Sequence, residues 1–326
     1  MTQSPLDYRH TTTRPDFAQL PSAVRAGIEA AAGAAVEVAF PSVTTGFTGA
    51  YAGLLALRDG RRVFAKAAGP AAPFALEAIP REAEILHRLG GRVTAPTAVG
   101  AAAVDDWQLL VLEAIDGHLP GMPWTDTDAD AAHAACLELA ALDPTAVAEL
   151  TETSLAVEVG ADPAALGCLD ELANGARAWP HGIPPLSPQA ARELAGLGGL
   201  AAHALVGDRL VHSDLRPDNI LVTPGGRARF VDWNWVARGP AWCDYVGLLP
   251  LMSHDGLDVD AMVRRSPLLD GVDAEAVDAF LAVLTGYFIA ACEQPVVPGS
   301  QSLVRAHQRH LAKAFLALLS HRRGWS

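Results

Sequence analysis

The run Leu210-Val-His-Ser-Asp-Leu-Arg-Pro-Asp-Asn-Ile-Leu-Val222 decides how this 326-residue chain is read. It sets His212, Asp214 and Asn219 in the order H-x-D-x-x-x-x-N, directly before a short apolar strand. Asp232 follows thirteen residues after Asn219, at the end of a second apolar run, Phe230-Val231. Thr223-Pro-Gly-Gly-Arg227 lies between the two runs and is turn chemistry. A hairpin brings its outer ends together, so Asn219 entering it and Asp232 leaving it should lie side by side. An amide and a carboxylate so placed can hold Mg²⁺ by hard oxygen atoms and leave room for phosphate oxygens. Asp214, on the loop just upstream, is then placed to accept the proton of a substrate hydroxyl. These are the parts that phosphoryl transfer from a nucleotide requires. A lone His-x-Asp or one Asp at a hairpin end is ordinary, so the upstream sequence serves as the test.

Upstream, Pro41 to Lys66 reads as three strands. The glycine-punctuated segment Gly46-Phe-Thr-Gly49-Ala-Tyr-Ala-Gly53 leads into Leu54–Leu57, Asp59-Gly60 marks a hairpin, and Val63-Phe-Ala-Lys66 returns. Gly46 and Gly49 would let backbone N–H groups approach phosphates, although the loop is not G-x-G-x-x-G. Lys66, closing an apolar strand, needs an anionic partner, and a phosphate suits it. Pro80 to Leu89 reads as a helix stopped by Gly90, carrying Glu82 or Glu84 as the acid that would hold Lys66. Asp106 to Gly117 reads as a buried strand running into a connector, where a nucleotide base could read the backbone of Glu113 to Ile115.

With these motifs in order, the chain resembles the aminoglycoside phosphotransferase family, within the protein-kinase-like fold that also holds choline and homoserine kinases. The resemblance runs from about Val36 to Gly247. It implies an α+β, bilobal fold with a small antiparallel-sheet lobe and a mostly helical lobe. It implies Asp214 as catalytic base, Asn219 and Asp232 as Mg²⁺ ligands, and Asp244 as a buttress of the catalytic loop. His212 and Arg216 join Asp214 as candidate catalytic residues; Arg216 either stabilises the transferred phosphate or is a plain loop arginine. Lys66, Glu82, Gly46, Gly49, Glu113 and Ile115 are the candidate nucleotide contacts. The chain departs from many relatives at Trp233-Asn234, where they carry an acid two places after the metal-binding Asp.

The expected organisation is an arm and helix over residues 1–35, a nucleotide-binding lobe over 36–117, and a catalytic and substrate-binding lobe over 118–326. Helices are expected over Asp128–Leu142, Pro188–Val206, Glu275–Glu293 and Ser302–His321; the stretch from Ala141 to Gly182 is not readable. Only eleven residues separate Asp232 from Asp244, too few for a protein kinase's activation segment, and neither D-F-G nor A-P-E occurs. A small hydroxylated acceptor is therefore expected, with ATP or GTP as co-substrate. Three readings remain: a kinase for an aminoglycoside or similar antibiotic-like compound; a metabolic kinase for a sugar, amino alcohol or hydroxy amino acid; and a nucleotide-binding pseudokinase. A choline-type acceptor would call for an aromatic cage, for which Trp233, Trp235 and Trp242 are the nearby aromatics.

A formal charge of −13 argues against nucleic acid and is compatible with a cationic acceptor. The acids Asp255, Asp258, Asp260, Asp270, Asp273, Glu275 and Asp278 could grip such a molecule, or could be helix caps and solvated residues. The polar start of the chain, the lack of a long uninterrupted apolar run, and four scattered cysteines lead to the expectation of a cytoplasmic protein without a membrane partner. Oligomeric state is not legible.

Overall fold

The computed structural model describes residues 6–296 and 300–325. An arm with two short 3₁₀ turns, Tyr8–His10 and Phe17–Gln19, precedes α1 (Ser22–Ala32). Five strands follow: β1 (Val36–Ala39), β2 (Tyr51–Leu57), β3 (Arg62–Ala68), β4 (Ala98–Val104) and β5 (Trp107–Glu113). They form one antiparallel sheet in the order β1-β2-β3-β5-β4. Between β3 and β4 the chain makes α2 (Pro73–Leu89).

Strand alternation explains how this lobe is layered. Val63, Ala65 and Ala67 of β3, with Leu109 and Val111 of β5, pack under Val24 and Ile28 of α1. Leu110 and Leu112 of β5 face the other way, into the cluster that holds Ile79, Ile85 and Leu86 of α2. Lys66 lies between Ala65 and Ala67, so the same alternation turns it toward the α2 side.

The helix expected from Pro80 starts seven residues earlier, at Pro73, and Pro80 lies inside it. Pro73 fits the first turn, and Ala75, Ala78 and Ile79 extend the buried face backward. Pro80 itself is exposed, on the side where a carbonyl freed by the missing N–H can be hydrated.

The second lobe begins with α3 (Asp126–Ala140), α4 (Pro144–Leu150), α5 (Leu155–Glu158), α6 (Pro163–Asn174) and α7 (Pro188–Ala204). Three of these fill the stretch that was unreadable: Asp143-Pro144 and Asp162-Pro163 are N-cap-plus-proline starts to helices with few charges to mark them. Then come β6 (Arg209–Val211), β7 (Ile220–Val222), β8 (Ala228–Phe230) and β9 (Ala237–Gly239). β6 pairs with β9 and β7 with β8, both antiparallel. The chain closes with α8 (Cys243–His254), α9 (Val259–Arg265), α10 (Ala274–Ala291) and α11 (Leu303–Arg323).

The α+β bilobal architecture expected from the motifs is the one observed. α10 is long and apolar enough to cross a membrane by length and composition, yet 67% of it is buried inside the fold. It packs against α6, α7 and α11. The four cysteines are buried and unpaired.

Candidate active site

The β7–β8 hairpin does what its turn chemistry requires. Ile220 is paired with Phe230, and the Val231 N–H donates to the Asn219 carbonyl at 2.9 Å. Asn219 and Asp232 therefore flank the hairpin mouth. Both line the cleft between the lobes, with Asp214, Arg216, Lys66, Glu82, Glu113 and Ile115. The cleft measures about 1620 Å³. That exceeds the roughly 300–1,000 Å³ of a single small-molecule pocket and gives room for two ligands.

Lys66 Nζ donates to Glu82 Oε2 at 2.7 Å and to Asp232 Oδ1 at 2.8 Å. Burial alone would depress the ammonium, but Asp232 and Glu82 outweigh it and hold it above its ordinary value. Glu82, only 1% exposed, is the acid that pairs with Lys66. Glu84 faces outward and pairs with Arg88 at 2.6 Å. Helical spacing decides between them, because Glu82 shares the buried face of Ile79, Ile85 and Leu86 and Glu84 does not. Burial raises the Asp232 carboxyl, but Lys66 and Arg216 more than offset this and hold it near about 2.

Asp214 is held from two sides. Arg216 Nη1 donates to both of its oxygens, at 2.7 and 2.8 Å, and Asn219 Nδ2 donates to Oδ2 at 3.1 Å. Arg216 Nε meanwhile donates to Asp218 at 2.8 Å. Burial pushes the Asp214 carboxyl up to about 6 against the lowering pull of Arg216. Arg216 is thus held between two carboxylates, Asp214 and Asp218, at the cleft.

His212 was expected among the catalytic residues and is placed otherwise. It is fully buried and lines no part of the cleft. Its Nε2–H donates to the Val231 carbonyl at 3.1 Å, and its ring lies 4.7 Å from that of Trp233. Burial lowers it to about 4, so it is neutral and braces the loop. Asp244 accepts the N–H groups of His212 and Ser213 at 2.7 and 3.0 Å, and burial raises its carboxyl to about 7. This fixes the loop at Ser213, whose φ is +67°. Asp232 has φ +68°. Left-handed backbone at two non-glycine residues flanking the site is strain that the surrounding packing must hold. Trp233, with no exposed surface and its Nε1–H on the Phe230 carbonyl at 2.7 Å, supplies much of that packing. Trp233→Ala is expected to lower the unfolding free energy by about 3–5 kcal/mol in urea titration; a loss below about 1 kcal/mol would refute this packing role.

At the connector, both Glu113 and Ile115 line the cleft. The Glu113 N–H donates to Thr97 O at 2.9 Å, and the Glu113 side chain pairs with Arg229, so that N–H is not available to a base. Ile115 lies beyond the sheet and lines the cleft with Leu54, Phe64, Leu112, Leu221 and Val231. These aliphatic and aromatic groups form an apolar slot suited to a flat ring. Gly46 has φ +81° and lines the cleft, while Gly49 is half-buried in the same loop.

The acids Asp255 to Asp278, weighed as a grip for a cationic acceptor, lie outside the cleft. Asp258 and Asp273 are N-caps of α9 and α10. Asp278 pairs with Arg322, and Asp260 meets His321. Besides Glu82, Glu113 and Asp244, the acids that line the cleft are Glu84, Glu149, Glu152, Glu158 and Asp162, with Asp214, Asp218 and Asp232 at its base. Four of them come from the stretch that sequence patterning could not read. The aromatic cage does not form, because Trp233 and Trp242 are core residues. Trp235 is 45% exposed and lines the cleft beside Phe74, its ring covered by the Arg81 guanidinium at 5.3 Å.

The residues present fit a divalent cation. Lys66 and Asn234 both take Asp232 Oδ1, and Asn219 points its amide N–H at Asp214. Among the described residues no donor reaches Asp232 Oδ2 or Asn219 Oδ1. Two hard oxygen atoms are thus left free at the hairpin mouth.

A two-lobed fold with this Lys–Glu pair and catalytic hairpin defines a kinase-like phosphotransferase. Residues 54–281 match the model of the APH phosphotransferase enzyme family, and the chain belongs to that family. It is a phosphotransferase acting on hydroxyl groups of small molecules. No curated protein matches the chain in sequence. Among solved structures it is similar to an aminoglycoside phosphotransferase from Alicyclobacillus acidocaldarius, at 16% identity and TM-score 0.54, over 98% of this chain and 97% of that one. It is similar to a macrolide 2'-phosphotransferase from Brachybacterium faecium at 18% identity and TM-score 0.52, over 91% and 98%. A protein from Thermobifida fusca assigned as a fructosamine-3-kinase gives 20% identity and TM-score 0.53, over 91% and 100%. At such identities these likenesses speak for the fold.

Proposed function

We propose that this protein transfers the γ-phosphoryl group of ATP or GTP, with Mg²⁺, to a hydroxyl of an aminoglycoside or similar antibiotic-like compound. The observation that carries the reading is the meeting of Lys66, Glu82, Asp214, Asn219 and Asp232 at one cleft. Residues 36–117 are assigned to nucleotide binding and residues 118–326 to catalysis and acceptor binding. The base of the nucleotide takes the apolar slot at Leu54, Phe64, Ile115 and Leu221, and its phosphates lie toward Lys66 and the 44–50 loop.

Asn219 Oδ1 and Asp232 Oδ2 would hold Mg²⁺, which supplies charge neutralisation for the phosphates when bound. Asp214 takes the acceptor hydroxyl's proton as the oxygen attacks phosphorus. Arg216 keeps the Asp214 carboxylate oriented and offsets its charge, and Lys66 lies where it can exchange a carboxylate oxygen for a phosphate oxygen. With every one of these groups in place, a complete catalytic set rather than a nucleotide-binding relic is the better description.

The acceptor reading rests on the cleft wall made by α4 to α6 and α10. Glu149, Glu152 and Glu158 there are exposed, which favours a cationic molecule. The location is proposed to be cytoplasmic, where nucleotide is available. The test is to incubate the protein with Mg²⁺-ATP and with Mg²⁺-GTP against aminoglycosides, other hydroxylated antibiotics, amino alcohols and sugars. Mass spectrometry is expected to show one added phosphoryl group on an amine-bearing antibiotic. Phosphorylation confined to sugars or amino alcohols would replace this reading with a metabolic one. Nucleotide binding without any product would refute the acceptor class.

A further inference from the structure

The N-terminal arm sits behind the loop that faces the phosphates and takes up its carbonyl groups one after another. The N–H groups of Thr11 and Thr12 both donate to Thr44 O, at 2.8 and 3.0 Å. Thr11 Oγ1 donates to Gly46 O at 2.6 Å and Thr12 Oγ1 to Thr48 O at 2.9 Å. Arg14 Nη2 donates to Thr45 O at 2.7 Å, and Nη1 to Ala50 O at 2.6 Å and Thr48 Oγ1 at 3.2 Å. Phe47 O is taken from another side, by the Gln301 N–H at 2.9 Å. Carbonyls 44 to 48 and 50 are all so engaged. In a planar trans peptide the next residue's N–H points opposite to the carbonyl. The carbonyls of residues 44 to 46 are taken by the arm, so the N–H groups of residues 45 to 47 are turned away from it. Thr45, Gly46, Phe47 and Thr48 line the cleft.

Arg14 adds charge to this geometry. It lines the same cleft and makes no ion pair among the described residues, and its Nε is buried without a partner. Burial lowers the guanidinium to about 10, opposed by Asp232 and Asp218, so it stays cationic at neutral pH. A cation held against carbonyls, with no carboxylate of its own, is completed by an anion nearby. The arm is also tied to the second lobe: the Tyr8 hydroxyl bonds to Nδ1 of His307 at 2.9 Å on α11. Phe47 lies 4.8 Å from the His307 ring and 5.4 Å from the Arg216 guanidinium.

We propose that the arm, through Thr11, Thr12 and Arg14, holds the 44–50 loop with its backbone N–H groups presented to the nucleotide phosphates, making Arg14 a positioning residue of the phosphate site. This rests on the nucleotide reading above and adds a segment outside the residues matched by the family model. Gly46 carries a positive φ there, and a side chain on it would meet Arg14 Nη2 at 3.0 Å, so the arm is what closes the space behind the loop.

The test compares binding of the preferred Mg²⁺-nucleotide and of the matching nucleoside, which lacks phosphates, by calorimetry on the full chain. Arg14→Met should weaken Mg²⁺-nucleotide binding by about 10- to 100-fold, as loss of charged hydrogen bonds does, and leave nucleoside binding unchanged. Arg14→Lys should recover part of the loss. Thr11→Val with Thr12→Val, which keeps size and removes the two hydroxyl bonds, should show the same phosphate-selective weakening, and it decides the matter if Arg14→Met does not fold. Wild-type affinity in these variants, or equal loss of nucleotide and nucleoside binding, would overturn the proposal. Wild-type protein that binds neither Mg²⁺-ATP nor Mg²⁺-GTP would instead defeat the nucleotide reading itself.

Discussion

Asp214→Ala is expected to lower phosphoryl transfer by about 10²–10⁴-fold, the span usual for a general base, while Mg²⁺-nucleotide affinity stays near wild type. The geometry separates the two effects. Asp214 meets Arg216 and the Asn219 amide, whereas Lys66 and Asp232 bond to each other and not to it. Removing the carboxylate leaves Arg216 its bond to Asp218, so the guanidinium is not stranded. Turnover measured on the acceptor found by mass spectrometry, with affinity from calorimetry, gives both numbers. Near-wild-type turnover would sink the base assignment. A parallel collapse of affinity would mean that Asp214 belongs to the nucleotide site instead.

Asp232→Asn should remove the metal dependence of nucleotide binding and lower turnover by about 10³-fold or more, since charge stabilisation at the transferred group is the main catalytic contribution. Asn is the informative replacement. At φ +68° an alanine would add about 1–2 kcal/mol of backbone strain, which Asn tolerates better. Asn also keeps an oxygen where Asp232 Oδ1 accepts from Lys66 and Asn234, so the change leaves those bonds in place while it removes the charge and replaces Oδ2, the proposed metal ligand, by an NH2 group. Binding titrations with and without Mg²⁺ make the comparison. If the variant kept a wild-type response to Mg²⁺, Asp232 would not be a metal ligand. Asn234, two places after Asp232, spends its amide N–H on Asp232, and its Oδ1 is buried without a partner.

How much could be read in advance follows from where the information lies. The hairpin, Lys66 and the connector were legible because each is local: turn residues, alternation and spacing place them within a few tens of residues. The acid that pairs with Lys66 could have been decided from helix periodicity, had the start of α2 at Pro73 been seen; Pro80 suggested a helix start and hid it. The burial of His212 was not legible, because it depends on Trp233 and Phe230, which come later in the chain. The acidic wall was sought at Asp255 to Asp278, where acids are dense in sequence but serve as caps and ion-pair partners. The wall that lines the cleft is sparse in sequence and becomes a cluster only when α4, α5 and α6 fold beside one another.

Within residues 41–66 the sequence suggested three strands, whereas the structure has β1 before Pro41 and only β2 and β3 there. The sequence by itself determined the two lobes, the hairpin that carries Lys66, and the hairpin that sets Asn219 beside Asp232. These follow from short-range rules: a pleat of period two, a tight turn, a helical face. Only the tertiary structure decided that Lys66 bridges Glu82 to Asp232 across the two lobes, that Arg216 rests on Asp214, and that His212 is a buried brace. It alone placed Arg14 behind the 44–50 loop and tied Tyr8 to His307, 299 residues apart. The physical reason is that burial and partner choice are not properties of a residue or its neighbours in sequence. They arise when elements distant in the chain exclude water together, and a charged group must then find its partner in whatever that packing brings within reach.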